Sequence, residues 1–86
     1  MEIILLEQAQ KDRDYWQKSE NEAIMNRITA LLKDIMDHPY TGIGKPEALK
    51  YGLEGKWSRR INPEHRLIYS VNENIIMVYT LYMKSQ

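Results

Sequence analysis

A helical repeat that stops at a proline divides this chain into two halves. Apolar side chains between Ile24 and Ile35 recur at three- and four-residue spacing, which predicts an amphipathic helix. Ser19 followed by Glu22 has the pattern of a capping box, so we expect the helix to start there. Pro39 disfavours helical geometry at the residue before it and has no backbone N–H, so the helix should end near Asp37.

Strand-like runs dominate the second half of the sequence. One further helix is predicted at Glu7–Lys18, directly after a short N-terminal strand that we expect to be buried. The predicted strands are residues 1–6, 56–61, 66–71 and 75–82. The last run is continuously apolar and aromatic, as is typical of a central strand. This order predicts an α+β protein with both helices over one face of the sheet and the other face uncovered.

The second and third strands should form a hairpin, because Asn62-Pro63-Glu64-His65 between them has the composition of a tight turn. If Asn62 pairs with His65, alternation places Arg59 and Arg66 on one face and Arg60 on the other. A slip of one residue would exchange the faces. An uncovered sheet face that carries arginines is suited to RNA.

Basic residues concentrate in the segment 42–66, where we expect the functional site. Residues 43–66 carry six basic and three acidic side chains, whereas residues 1–42 carry five basic and eight acidic ones. Basic groups around one carboxylate, such as Glu47, suit a phosphodiester, because phosphate requires cationic contacts and its cleavage requires a proton acceptor. A solvated surface of mixed charge fits the same composition about equally well.

Several classes of protein are excluded by what the sequence lacks. There is no cysteine, and the two histidines are isolated, so we expect no disulfide, no metal site and no cofactor. No segment approaches the roughly 18 apolar residues of a membrane span, and no signal-peptide core is present. These features predict a cytoplasmic protein without membrane contact, folded as one domain over residues 1–86.

Four motifs, taken in order, resemble the YoeB (Txe) branch of the RelE-like toxins over residues 3–79. They are Tyr15-Trp16-Gln17, Gly42-x-Gly44-Lys45-Pro46-Glu47-x-Leu49-Lys50, Trp57-Ser58-Arg59-Arg60-Ile61 and Glu64-His65-Arg66-Leu67-x-Tyr69. The resemblance implies a RelE-like, microbial-ribonuclease-like fold: a twisted, mainly antiparallel sheet with two N-terminal helices on one face. It also implies the toxin of a bacterial type II toxin-antitoxin pair.

The activity implied by the resemblance is metal-independent cleavage of mRNA on the ribosome. Glu47 matches the family's general base, which takes the proton of the ribose 2′-hydroxyl, and Arg66 matches the arginine that neutralises charge on the phosphoryl oxygens. Lys50, Arg59 and Arg60 match basic positions implied to hold mRNA or ribosomal RNA. A cognate antitoxin of the YefM or Phd-like kind is the implied inhibitor, and a homodimer is left open.

The C terminus departs from the family pattern. The family commonly ends in His-Tyr, implied to be the general acid and a support for the nucleotide, whereas residues 82–86 here read Tyr-Met-Lys-Ser-Gln. An ungapped alignment places the pair on Lys84 and Ser85, and a one-residue deletion places it on Met83 and Lys84. Lys84 is therefore the expected donor at the leaving oxygen, with Tyr82 contributing there or contacting RNA.

Two other functions fit the same sequence. The missing histidine allows a catalytically weakened or silent homologue, which would bind the antitoxin and help regulate their operon. A general RNA-binding module without ribosome dependence is the second alternative, but neutral net charge and the absence of repeated aromatic-basic patterns argue against it.

Overall fold

Two helices and five strands make up the described part of the chain. The computed structural model describes the backbone of residues 1–84 and the side chains of residues 1–82. Its elements are β1 (Glu2–Leu5), α1 (Glu7–Lys18), α2 (Glu22–Asp37), β2 (Glu47–Ala48), β3 (Lys56–Arg60), β4 (His65–Asn72) and β5 (Ile75–Lys84). The predicted α+β order is confirmed. The sequence did not predict β2, because two residues are too few to show an alternating pattern.

The five strands form one sheet in the order β1-β5-β4-β3-β2. β1 runs parallel to β5, and the other three pairs are antiparallel. β1 was predicted to be buried, which is wrong: it is an edge strand whose residues alternate between exposed and half-buried. An edge strand with one face covered shows this alternation, because successive side chains point to opposite faces.

Both helices pack against the same face of the sheet, here called the helix face. Ala9 of α1 and Leu31 and Ile35 of α2 are fully buried there. The sheet contributes Leu67, Tyr69, Ile76, Val78 and Leu81 to this core. Neither helix covers the opposite face, here called the open face, and the predicted one-sided arrangement is confirmed.

Two buried side chains of α1 form hydrogen bonds with the backbone of β5. The indole Nε1 of Trp16 donates to the carbonyl oxygen of Leu81 at 2.8 Å. The carboxylate of Asp12 accepts a hydrogen bond from the backbone N–H of the same leucine at 2.9 Å. Because buried polar groups without partners are costly, these two bonds fix the position of α1 along β5.

The start of α2 differs from the prediction, although its end at Asp37 is confirmed. Asn21 caps the helix, since its side chain accepts from the backbone N–H of Ile24 at 3.2 Å. The predicted capping box at Ser19 is wrong. That residue closes α1 instead, and its hydroxyl donates to the carbonyl oxygen of Trp16 at 2.8 Å.

The hairpin of β3 and β4 lies one residue away from the predicted register. Arg60 pairs with Arg66, and Arg59 pairs with Leu67. Directly opposed residues share a face, so Arg59 lies on the helix face and Arg66 on the open face. The prediction that these two arginines share a face is wrong. Inside the turn, the side-chain oxygen of Asn62 accepts the backbone N–H groups of Glu64 and His65.

Candidate functional site

Glu47 and Arg66 meet on the open face. Glu47 of β2 pairs with Ser58 of β3, which places its side chain beside that serine. The guanidinium Nη1 of Arg66 lies 3.5 Å from a carboxylate oxygen of Glu47 and donates to the Ser58 hydroxyl at 3.2 Å. The Glu47 side chain is 64% exposed, whereas that of Arg66 is 20% exposed. The Ser58 hydroxyl therefore holds the guanidinium of Arg66 beside the carboxylate of Glu47, which a ligand can reach.

This arrangement has two chemical capacities. The exposed carboxylate of Glu47 can accept a proton from a ligand hydroxyl. The planar guanidinium of Arg66 can donate hydrogen bonds to the oxygens of a phosphate and stabilise negative charge that develops there. Ser58, which was not assigned to the site from the sequence, keeps this guanidinium on the open face. Only the strand register reveals the role of Ser58.

The loop that leads to Glu47 lies close against the hairpin at Gly44. This residue has a φ of 80°, and an added Cβ would stand 2.7 Å from a methyl group of Leu31 and 3.2 Å from the carbonyl oxygen of Arg60. Glycine is therefore required by both the backbone conformation and the space. The Gly44 carbonyl accepts the backbone N–H of Arg60 at 2.7 Å, which joins the loop to β3 just before β2 begins.

Arg59 is fully buried and holds this loop from the inside. Its guanidinium donates to the Asp34 carboxylate and, at 3.2 Å, to the Tyr69 hydroxyl. It also donates to three loop carbonyl oxygens, those of His38, Thr41 and Ile43. The predicted contact of Arg59 with RNA is wrong, because every donor group of the side chain is engaged within the fold.

Asp34 completes the buried network on the side of α2. Hydrogen bonding to Arg59 lowers the pKa of its carboxyl group below the usual value, and the backbone N–H of Ile43 acts in the same direction against partial burial. Burial raises the pKa of Tyr69, although Arg59 opposes that shift. The Tyr69 hydroxyl donates to the carbonyl oxygen of Pro39 at 2.6 Å and adds another bond to the loop.

The other predicted RNA-binding residues do not all join the pair. Arg60 is exposed on the open face, in register with Arg66. Lys50 is exposed just after β2. The ring of Tyr82, in contrast, lies 5.2 Å from that of Trp16 and 4.3 Å from that of His65, in an aromatic cluster with α1.

Lys84 is the remaining predicted site residue, and the pairing of β5 with β4 gives the position of its backbone. The backbone of Lys84 pairs with His65, and that of Met83 pairs with Arg66. The side chain of Lys84, predicted to act at the leaving oxygen, lies outside the described residues. Met83 is thus the position in register with the arginine of the site.

In residues 1–84, the described part of the chain, no group of three His, Cys, Asp or Glu side chains is placed to hold a metal ion. The same residues include no helix that is both long and apolar enough to span a membrane.

The sequence matches a family of known proteins over most of its length. Residues 5–83 match the family described as YoeB-like toxin of bacterial type II toxin-antitoxin system. Toxin YoeB of Escherichia coli (strain K12) is 42% identical over 78 residues, which cover 91% of this chain and 92% of that protein.

Solved structures show the same fold. A YoeB dimer from Staphylococcus aureus is 40% identical, with a TM-score of 0.90 over 99% of this chain and 98% of its own. The heterotetrameric YoeB-YefM toxin-antitoxin complex from the same organism is also 40% identical, with a TM-score of 0.89 over the same shares.

Proposed function

Because the chain belongs to the YoeB-like toxins of bacterial type II toxin-antitoxin systems, as the resemblance predicted, we propose that it cleaves mRNA on the ribosome. The observation that carries this proposal is the pairing of Glu47 and Arg66 on the open face, 3.5 Å apart. A proton acceptor beside a phosphate-binding guanidinium is what internal cleavage of RNA requires.

In the proposed reaction, Glu47 removes the proton of a ribose 2′-hydroxyl. The freed oxygen attacks the adjacent phosphorus, and the bond from phosphorus to O5′ breaks. The products are a 2′,3′-cyclic phosphate and a 5′-hydroxyl, the latter after a proton reaches the departing oxygen. Arg66 donates to the non-bridging oxygens, where negative charge increases in the transition state. Side chains supply all of the charge stabilisation in this scheme, so it uses no metal and no cofactor.

Exposed basic residues near the pair would hold the RNA strand. Arg60 is in register with Arg66 on the open face, and Lys50 follows the strand that carries Glu47. Lysine and arginine at such positions contact the phosphate backbone and do not read the bases. Arg59 has no part in this binding, because it lies inside the fold.

The leaving oxygen requires its own donor, and we predict that Lys84 supplies it. General acids contribute about 10² to 10⁴ in rate, so Lys84→Ala should slow cleavage at least about tenfold in single-turnover assays on ribosome-bound mRNA. Ser85→Ala and Gln86→Ala serve as neighbouring controls and should cleave at the parent rate. Equal rates for Lys84→Ala and the parent would exclude the lysine.

The proposed inhibitor is a YefM- or Phd-like antitoxin. The related toxin from S. aureus forms a YoeB-YefM complex, and another structure of that toxin is a dimer. We propose that a C-terminal segment of the antitoxin orders across the open face, where Arg60 and Arg66 attract acidic groups. A homodimer of the toxin is compatible with this arrangement.

Induced expression of the chain in bacteria tests the proposed function. Growth should stop, mRNA should be cut within codons on ribosomes, and the product of a small neighbouring gene should reverse both effects and co-purify with the toxin. A chain that binds that product but cleaves nothing would be the silent homologue, which the missing histidine favours. If the chain is harmless and binds no such partner, the proposed function is overturned.

A further inference from the structure

A second polar cluster occupies the open face, next to the Glu47 and Arg66 pair. The ammonium group of Lys56 lies 4.3 Å from the centre of the Tyr79 ring. The hydroxyl of that tyrosine is 2.9 Å from the hydroxyl of Ser70, which is itself in register with Lys56. Ser70 is buried, and the other two side chains are half-buried, so the cluster is packed into the surface of the sheet.

The strand register places this cluster in line with the cleavage pair. Lys56 and Ser58 lie two residues apart on β3, so they point to the same face, with Cα atoms about 7 Å apart. On β4, Arg66 and Ser70 also point to one face, because they lie an even number of residues apart. The separation is four residues, about 13 Å along the strand. A ligand that contacts Arg66 and extends along these strands therefore reaches Lys56.

The positive charge of Lys56 is suited to binding a phosphate. Among the described residues, Lys56 forms no ion pair, whereas Arg66 is paired with Glu47. The aromatic ring holds the ammonium group by a cation–π interaction without neutralising its charge. Ser70 is buried, but the half-buried Tyr79 hydroxyl can donate to a ligand when it accepts from Ser70, so one anionic oxygen can be bound by a cation and a hydroxyl together.

We propose that Lys56 and Tyr79 form a second RNA subsite, which binds the phosphate of a nucleotide near the one that is cleaved. The proposal rests on the proposed function and extends it, because a single strand laid along the open face would contact both sites. RNA is favoured over an acidic peptide because the cluster continues the line of the cleavage pair, as a groove that follows a nucleic acid backbone does. None of the sequence motifs included this lysine or this tyrosine.

Binding of a non-cleavable RNA tests the subsite directly. The probe is a labelled hexaribonucleotide with 2′-O-methyl groups, which cannot supply the attacking oxygen. Lys56→Gln should weaken its binding about tenfold, the equivalent of one charged hydrogen bond. The slope of log K against log salt should also fall by about 0.7, because one fewer phosphate is neutralised. Lys56→Arg should restore most of the affinity.

The controls separate the subsite from general effects on charge or folding. Lys33→Gln removes an exposed lysine from α2, away from the open face, and should leave affinity and salt slope unchanged. Tyr79→Phe keeps the ring under Lys56 but removes the hydroxyl, and should weaken binding less than Lys56→Gln. Thermal melts of the lysine variants should match the parent, whereas Tyr79→Phe should melt slightly lower because it removes the hydrogen bond to the buried Ser70 hydroxyl.

Three outcomes would decide the question. Parent-like affinity and salt slope for Lys56→Gln would overturn the subsite even if the parent cleaves mRNA. Weaker binding of the antitoxin with unchanged binding of the probe would assign the cluster to the protein partner and also overturn it. If the parent never cleaves but Lys56→Gln loses affinity for the probe, the subsite stands while the proposed catalytic function fails.

Discussion

Glu47→Gln is expected to reduce mRNA cleavage on ribosomes by at least about 100-fold while ribosome binding is retained. Glutamine has nearly the same shape as glutamate but cannot accept the 2′-hydroxyl proton as a base. The side chain is 64% exposed, and such an exposed ion pair with Arg66 contributes little to folding stability. The change should therefore remove the chemical step and leave the structure unchanged.

Single-turnover cleavage of a defined mRNA on purified ribosomes measures this effect. Glu54→Gln is the matched control, because Glu54 is an exposed carboxylate in the neighbouring loop that accepts the backbone N–H of Gly52. It should cleave like the parent. Unchanged cleavage by Glu47→Gln would rule out Glu47 as the base. Loss of cleavage together with loss of ribosome binding would assign the carboxylate to docking instead.

The sequence predicted the helices well because their signals are local. The apolar spacing of α2 and the position of Pro39 fix the end of that helix at Asp37, and α1 occupies the predicted residues Glu7–Lys18. The proximity of Glu47 and Arg66 could not be derived in this way. It depends on β2, which has two residues and no pattern of its own, so the resemblance to the family was the only basis for pairing them.

The position of Arg59 was missed because face assignment in a strand depends on register. A slip of one residue exchanges the two faces, and both Arg59 and Arg60 suit a solvated surface by composition. A buried arginine requires several acceptors, which come from a loop 16 to 21 residues earlier in the chain. One signal was present: Asp34 follows Leu31 by three residues, so the helix offers a carboxylate at the edge of its apolar face.

Arg59→Leu is expected to destabilise the fold by about 3 kcal/mol, the low end for removal of one partner from a buried ion pair. Leucine fills part of the space but leaves three loop carbonyl oxygens without their donor. Asp34 is 20% exposed and can be hydrated in part, which keeps the loss at this end of the range. For a chain of this size, the midpoint of thermal unfolding should fall by more than about 10 °C.

Arg60→Leu is the matched control for this prediction. The two arginines are adjacent in sequence, but Arg60 is exposed on the open face, so its loss should change the free energy of unfolding by less than about 0.5 kcal/mol. The effects on RNA binding should have the reverse order. Arg60→Leu should weaken binding more than Arg59→Leu, because Arg60 and not Arg59 is available to phosphates. Equal destabilisation by both changes would contradict the register of β3 and β4.

The pH dependence of stability separates the ion pair from simple loss of packing. Because Arg59 lowers the pKa of Asp34, the pair stabilises the fold at pH values above the usual pKa of an aspartate, about 3.9. This contribution is lost as the pH falls through the lowered pKa of the folded state. The parent should therefore lose stability in acid faster than Arg59→Leu, and the difference between the two proteins should shrink below about pH 4. Urea titrations between pH 7 and pH 2.5 measure that difference, and a constant value would mean that packing, and not charge, makes Arg59 necessary.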